Sequence, residues 1–198
     1  MPSPGSVTAE LSILADRISE CTLCRLCEGR TNAVPGSGSA TAEVVFIGEG
    51  PGKNEDEQGI PFCGASGRLL DELLASINYS REDIFITNVV KCRPPGNRDP
   101  LPDEKDICSS TYLDRQLDLI NPKLIVTLGR HAINYFIPDQ KISEVHGQPK
   151  RYKGRVYLAL YHPAVALYNG SMKATLQEDF LTIPKVLRKL EKEQKSNQ

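Results

Sequence analysis

Four segments that could take part in chemistry each follow an apolar run of the sequence. They are the loop from Gly48 to Gly52, the amide Asn88, the loop that begins at Cys92, and His162. Because the carboxyl ends of parallel strands share one edge of a sheet, all four could face one cleft. An amide offers a donor and an acceptor together, which suits the edge of a nucleobase. The sequence therefore indicates a ligand cleft built from strand ends.

The loop after the first apolar run is rich in glycine, with Gly48, Gly50 and Gly52 in five residues. Such glycines let backbone N–H groups approach a ligand closely. The loop lacks the Gly-Lys-Ser/Thr ending of a Walker phosphate loop and the G-x-G-x-x-G of a dinucleotide site. Phe62 lies further along, between two glycine-rich turns, where it could be a stacking platform. Core packing is the ordinary alternative for Phe62, and a structural role at a turn is the alternative for Asn88 and His162.

Six cysteines are many for a chain without signs of secretion: Cys21, Cys24, Cys27, Cys63, Cys92 and Cys108. Clustered cysteines in such a chain indicate a metal site rather than disulfides. The segment CTLCRLC contains two overlapping pairs with a two-residue gap, and the other two ligands would be single and distant. Four thiolates suit tetrahedral zinc as well as an iron–sulfur cluster, so spacing leaves that choice open. The remaining alternative is that the thiols are small buried apolar groups.

The composition is that of a globular domain. The chain has 198 residues, 39% of them hydrophobic and 25% charged, enough for one domain with a full core. No apolar run approaches the roughly 18 residues of a membrane span, and the start lacks the regions of a signal peptide. We therefore expect a cytoplasmic protein that does not contact membranes, and a monomer.

A nucleic-acid surface would have to be a local patch, since the formal net charge is −1. Basic residues concentrate in two segments: Lys91, Arg93 and Arg98, and then Lys150, Arg151, Lys153 and Arg155. Both segments are expected to flank the cleft and to meet phosphates. Ordinary solvated charge is the alternative for each segment.

The elements that must position these residues alternate along the chain. Apolar runs predict strands at 44–47, 84–90 and 124–128, and two or three short strands within 142–161. Helical periodicity predicts helices over 6–19, 69–77 and 129–136, one capped by Asp103, and one from about Ala174. Residues 32–41 are expected to form a loop. This alternation predicts an α/β sandwich around a mostly parallel sheet, as one domain over 1–198 with flexible ends at 1–6 and 191–198.

Four motifs together resemble one known family. They are CTLCRLCEGRT, GEGPGKNEDEQGIPFCGASGRLL, ITNVVKCRPPGNRDPLPDE and YHPAVAL, which occur in this order between Cys21 and Leu167. The combination is similar to the family-4 (type-4) uracil-DNA glycosylases, and the match extends to about Leu187. The resemblance implies a three-layer α/β/α sandwich and a DNA repair enzyme that hydrolyses the N-glycosidic bond of uracil. Its products would be free uracil and an abasic site, without strand cleavage. It also implies a [4Fe–4S] cluster, which decides against zinc.

The resemblance assigns roles to individual residues. It implies that the cluster ligands are Cys21, Cys24, Cys92 and Cys108. It implies that uracil binds to Glu49, Gly50, Pro51, Phe62, Asn88 and His162, with Phe62 stacking on the base, Asn88 pairing with its polar edge and His162 near its O2. The catalytic residues would be Glu49, Asn88 and His162. Contacts with DNA are expected from Leu167, Arg93, Arg98, Lys150 and Arg151.

Some residues depart from the family pattern. Cys63 stands where valine is usual, Tyr168 stands where arginine is usual, and Cys27 is an additional thiol. Other glycosylase families place an aspartate at the position of Gly50 to hold water, so Glu49 is the candidate for that role here. Two rival functions remain at the level of sequence. One is a non-catalytic iron–sulfur module that binds uracil-containing or single-stranded DNA, and the other is a zinc-stabilised nucleotide-binding protein.

Overall fold

The computed structural model describes residues 4–196, in which a six-stranded sheet carries the fold. The strands are β1 (Ser37–Gly38), β2 (Val44–Gly48), β3 (Phe85–Asn88), β4 (Leu124–Leu128), β5 (Pro149–Tyr152) and β6 (Arg155–Leu160). Their order in the sheet is β1-β3-β2-β4-β6-β5. The four central strands are parallel, and the edge strands β1 and β5 are antiparallel to their neighbours. The prediction of a mostly parallel sheet is therefore confirmed.

Ten helices of the described chain cover the two faces of this sheet. They are α1 (Pro4–Ser19), α2 (Lys53–Gln58), α3 (Ala65–Ser76), α4 (Pro102–Cys108), α5 (Asp114–Ile120), α6 (Arg130–Phe136), α7 (Ile142–Val145), α8 (Ala164–Tyr168), α9 (Met172–Phe180) and α10 (Thr182–Ser196). A π-helical turn over Ser109–Leu113 joins α4 to α5, and short 3-10 turns occupy Arg25–Cys27 and Pro95–Asn97.

The central strands alternate their side chains between two hydrophobic cores. In β2, Val45 and Ile47 pack with residues of α1, α5 and α6, whereas Val44 and Phe46 pack with residues of α3, α9 and α10. All five residues of β2 are buried, as expected of a strand covered on both faces. The result is the three-layer α/β/α sandwich.

Several predicted boundaries need correction. Ser37 and Gly38 form a strand inside the predicted loop 32–41. Backbone pairing with β3 defines this strand, and two residues are too few to show a strand pattern in the sequence. The start of the region 142–161 is the helix α7 rather than a strand. Helix α4 begins at Pro102, with Leu101 rather than Asp103 at the N-cap, because proline suits the first helical position.

The ends of the chain are more regular than the sequence led us to expect. Helix α1 already begins at Pro4, and α10 continues through Ser196, with its apolar face packed in the second core. Residues 1–3 and 197–198, for which flexible ends were also predicted, lie outside the described part of the chain. The described helices include none that is long and apolar enough to cross a membrane.

Candidate active site

A cleft of about 310 Å³ opens at the carboxyl ends of β2 and β3. All six residues predicted to bind a base line it: Glu49, Gly50, Pro51, Phe62, Asn88 and His162. They come from three separate stretches of sequence, which meet because β2, β3 and β6 run parallel in the sheet. The volume is at the lower end of the range for small-molecule pockets, about 300–1,000 Å³. The cleft thus suits a ligand of one ring.

The floor of the cleft is backbone. Gly48 and Asn88 are register partners at the ends of β2 and β3. A Cβ on Gly48 would lie 2.4 Å from Asn88 Oδ1 and 2.8 Å from Phe62 Cζ. Asn88 is 2% exposed. A glycine at position 48 is therefore what allows the amide and the aromatic ring to lie together against the strand end.

Phe62 is held in an uncommon backbone conformation. Its φ is +51°, a region that costs a residue with a side chain on the order of 1–3 kcal/mol. Arg81 stabilises this turn by donating to the carbonyl oxygens of Pro61 and Phe62, and its guanidinium is fixed by Asp71 at 2.6 Å. A Cβ on Gly67 would lie 1.6 Å from the Phe62 carbonyl oxygen. The ring is thus positioned by its surroundings rather than by local preference.

Glu55 joins two sides of the cleft. Its carboxylate accepts the backbone N–H of Gly52 at 3.1 Å and that of Gly64 at 3.0 Å. These residues immediately precede helices α2 and α3. One side chain therefore holds the glycine-rich loop against the turn that presents Phe62.

His162 is a neutral donor. Its Nδ1 accepts the backbone N–H of Ala164 at 3.2 Å, so in the neutral ring the proton is on Nε2. Burial lowers the pKa of His162 to about 4, and Glu55 acts weakly in the opposite direction. The ring also stacks on Phe62, with centroids 5.4 Å apart. At neutral pH it offers an uncharged N–H to whatever occupies the cleft.

Glu49 is a carboxylate in an environment that disfavours its charge. Burial, followed by repulsion from Asp99, raises the pKa of Glu49 to about 7, against the opposing effect of Lys105 and Arg130. Within the described chain, Oε1 of Glu49 is buried without a hydrogen-bond partner. His131 Nδ1 lies 3.8 Å from this oxygen, too far for a hydrogen bond. A carboxyl group poised near neutrality is suited to handling a proton or a water molecule.

The cleft therefore combines four chemical capacities in one place. Phe62 offers a ring face, the Asn88 amide offers a donor and an acceptor, His162 offers a neutral N–H, and Glu49 offers a titratable carboxyl group. A planar heterocycle with polar edges matches the first three.

Five of the six cysteines line one hollow: Cys21, Cys24, Cys27, Cys92 and Cys108. Arg30 donates to Cys92 Sγ at 3.0 Å, and the Lys91 backbone N–H donates to Cys108 Sγ at 3.3 Å. Burial raises the pKa of both thiols, that of Cys108 to about 11, and these donors act in the opposite direction. In the described chain, no three of these sulfurs lie within 4.8 Å of one another, whereas thiolates on one zinc ion would be about 4 Å apart. Thiols from three stretches of the chain therefore meet in one hollow, a donor set of the kind that binds metal centres.

The predicted basic residues divide into two groups. Arg98 lines the cleft and makes a bidentate pair with Glu104 at 2.7 and 2.8 Å. Arg93 donates to Asn97, another residue of the cleft wall, at 2.7 Å. These two arginines lie beside the cleft, as predicted.

The placement of Lys150 and Arg151 beside the cleft was wrong. Both lie on the edge strand β5, where Arg151 is the register partner of Val156 near the start of β6. The cleft is at the opposite, carboxyl end of the parallel strands. Arg151 also pairs with Glu193 on α10, and Lys150 donates to Gln140 at 3.1 Å. The order of strands, which sequence does not reveal, puts this segment elsewhere.

Leu167 and Tyr168 lie on α8, which begins with Ala164 on the cleft wall. Leu167 is 50% exposed and Tyr168 is 92% exposed. Both large side chains are therefore exposed to solvent on the helix that begins at the cleft wall.

Sequence reasoning missed several residues that build the site. Arg81 and Gly67 hold the turn at Phe62, Glu55 bridges two glycines, and His131 approaches Glu49. Only Glu55 had a local signal, since an acidic residue three positions after Gly52 is typical of a capping arrangement. The others act across the fold and leave no local pattern.

Comparison with known proteins gives consistent matches. Residues 35–185 match the model of the uracil DNA glycosylase superfamily. Among similar proteins, the type-4 uracil-DNA glycosylase of Sulfurisphaera tokodaii is 47% identical, over 87% of this chain and 83% of that protein. The type-4 uracil-DNA glycosylase of Saccharolobus solfataricus is 46% identical, over 89% and 86%. That of Thermotoga maritima is 43% identical, over 81% and 85%.

Proposed function

The chain belongs to the uracil DNA glycosylase superfamily and is an enzyme that excises uracil in DNA repair, and we propose that Glu49, Asn88 and His162 carry the reaction. One observation carries the assignment of these residues: side chains from three distant stretches converge with Phe62 in one cleft. The reaction is hydrolysis of the N-glycosidic bond, leaving an abasic site in an uncut strand.

Uracil must leave the duplex before it can reach this cleft. Extruding a base costs a few kcal/mol, and stacking on Phe62 compensates for part of the stacking lost in DNA. The Asn88 amide then bonds the O4 and N3–H edge of uracil. Cytosine presents the opposite pattern of donor and acceptor at this edge. An unpaired buried amide costs roughly 1–3 kcal/mol, which supports rejection of cytosine.

Negative charge grows on the base as the glycosidic bond breaks. In this proposal His162 donates Nε2–H to uracil O2, and the Ala164 N–H, which donates to Nδ1, sets its tautomer. Backbone N–H groups near Gly50, which lines the cleft, assist it in this proposal. Donors that are already oriented stabilise such an anion without reorganisation, as an oxyanion hole does.

Positive charge grows on the sugar at the same time. Within residues 4–196, two carboxylates line the cleft, and that of Glu55 already accepts the N–H groups of Gly52 and Gly64. The Glu49 carboxylate, whose Oε1 has no hydrogen-bond partner in the described chain, stabilises this charge or orients the attacking water. Its charged form is required for either role, so the fraction of deprotonated Glu49 limits the rate near neutral pH.

We also propose that the thiol-lined hollow holds a [4Fe–4S] cluster through Cys21, Cys24, Cys92 and Cys108. The cluster would be structural, joining the segment after α1 to the loop after β3 and to the last residue of α4. Contacts with DNA are proposed for Arg93, Arg98 and Leu167. The substrate is uracil-containing DNA. A monomeric state and a cytoplasmic location stay predictions.

Incubation with a uracil-containing oligonucleotide tests the proposed function. Purified protein carrying its iron should release free uracil and leave alkali-labile sites, while the strand stays intact without alkali. The same oligonucleotide with cytosine in place of uracil is the control. Binding without any release from single- or double-stranded DNA would instead support a non-catalytic DNA-binding module.

Replacing His162 by alanine should lower the single-turnover rate about 100-fold, because one oriented donor to the developing anion is lost. Circular dichroism should be unchanged, since the imidazole packs mainly on Phe62. His162→Gln, which keeps an N–H donor, is the matched variant and should retain more activity. Equal loss in both variants would contradict the role of the donor.

The rate should depend on pH through Glu49. Its pKa is raised to about 7, so log kcat/KM should rise by about one per pH unit below 7 and level off above it. His162, with a pKa of about 4, stays neutral through this range. Glu49→Gln should be slower and should lack the inflection. An inflection of the same size in Glu49→Gln would assign it to another group.

A further inference from the structure

The side chain of Lys91 is buried beneath the cleft and takes no part in the mechanism above. It is 1% exposed and lies directly before Cys92. Its ammonium donates to Thr87 Oγ1 at 2.6 Å, to the Asn88 carbonyl oxygen at 2.8 Å and to Gln116 Oε1 at 2.8 Å. An ammonium has three N–H groups, so all of them are used.

Lys91 lacks the usual partner of a buried charge. Buried charges are generally paired with an opposite charge, yet within residues 4–196 no carboxylate lies within ion-pair distance of Lys91. The groups of potentially opposite charge nearby are thiols, because Lys91 lines the thiol-lined hollow and its backbone N–H donates to Cys108 Sγ. Thiols that bind a metal are deprotonated. The residue therefore lies between the hollow and the cleft.

The carbonyl group of Asn88 needs a donor that the sheet does not supply. Val89 N–H donates to Gly48, so the carbonyl of Asn88 points to the other side, towards the edge strand β1. Strand β1 is antiparallel to β3 and pairs Ser37 with Ile86. Continuing this register puts Pro35 opposite Asn88. Proline has no N–H. Lys91 supplies the missing hydrogen bond.

The acceptors of the Lys91 ammonium are themselves held in place. Gln116 Nε2 donates to the Pro35 carbonyl oxygen at 2.8 Å, and Thr87 Oγ1 donates to the same oxygen at 3.0 Å. This network joins β3, helix α5 and the segment before β1. A buried polar network whose members are all satisfied is rigid.

From this arrangement we propose that Lys91 is a positioning residue that fixes the end of β3 and thereby aims the Asn88 amide at uracil. Lys91 also connects the thiol-lined hollow to the cleft, since its backbone bonds Cys108 and its side chain bonds Asn88. It does not touch the substrate. The inference rests on the proposed role of Asn88.

A double-mutant cycle tests this proposal. Lys91→Met, which keeps the length and removes the donors, should lower the single-turnover rate about tenfold or more in the parent. In the Asn88→Ala background the same substitution should change the rate less than about twofold, because the side chain that Lys91 positions is already gone. An equal loss in both backgrounds would overturn the proposal and leave Lys91 a residue of general stability.

Controls separate this inference from the proposed function. If Asn88→Ala itself leaves the rate unchanged, the proposed role of Asn88 fails first. Lys123→Met is the matched lysine control, since Lys123 pairs with Glu43 at the opposite end of the sheet; its rate should equal that of the parent. Iron per chain and circular dichroism should match the parent in Lys91→Met.

A second variant tests the same proposal if the Lys91→Met protein loses iron or does not fold. Gln116→Leu removes one acceptor of the ammonium and lies outside the cleft. It should lower the rate about threefold or more in the parent and leave the Asn88→Ala rate unchanged. Equal losses in the two backgrounds would again overturn the proposal.

Discussion

Replacing Asn88 by alanine is expected to lower the single-turnover rate of uracil release at least ~100-fold. The amide is 2% exposed and lines the cleft, so it bonds the base where water competes little. The contact is lost in the transition state as well as in the ground state. At a few kcal/mol of lost stabilisation, the rate must fall by this amount or more.

The matched control is Gln148→Ala, which removes an exposed amide that does not line the cleft. Its rate should be that of the parent. The measurement is single-turnover release of uracil at saturating enzyme, with circular dichroism as a check on folding. Equal rates for Asn88→Ala and the parent would show that Asn88 is only the last residue of a strand.

Removing one cluster ligand is expected to abolish iron binding. Cys24→Ala and Cys92→Ala should fall from about four irons per chain to nearly none and lose the absorbance near ~400 nm. Their thermal stability should fall as well, because ligation and folding are coupled. Both side chains belong to the hollow, and Cys92 also accepts a hydrogen bond from Arg30.

Cys27 and Cys63 provide matched controls for the cysteine series. Cys63 lies outside the hollow, beside Glu55, and Cys63→Ala should keep its iron and its activity. Cys27 lies in the hollow with the four proposed ligands, so its position alone does not set it apart. We expect Cys27→Ala to keep its iron and Cys21→Ala to lose it. The reverse result would assign the cluster to Cys24 and Cys27 instead.

Local patterns in the sequence were sufficient for the elements with strong periodicity. The buried runs at β2 and β4 and the alternation with helices predicted the layers of the sandwich. Glu49, Asn88 and His162 stand at or just after the end of a strand, which is where the pattern of the sequence indicates a ligand site, and the family resemblance assigned their roles and that of Phe62. Edge strand β1 was missed, since two residues carry no periodicity.

What sequence could not supply was the arrangement across the fold. Lys150 and Arg151 were misplaced because no local pattern reveals that β5 is an edge strand that pairs antiparallel with β6. Arg81 and Gln116 were missed for a related reason. Their partners, Phe62 and Lys91, are 19 and 25 residues away in the chain.

The pairing of Arg98 with Glu104 has a consequence for how the enzyme attracts DNA. A guanidinium already neutralised by a carboxylate adds little to the attraction of a phosphate backbone, and the whole chain has a formal net charge of only −1. Each phosphate contact that is lacking also removes about 0.9 from the slope of log affinity against log salt. Of the two arginines beside the cleft, Arg93, whose partner Asn97 is neutral, should therefore contribute more than Arg98 to the salt-dependent attraction between the protein and DNA.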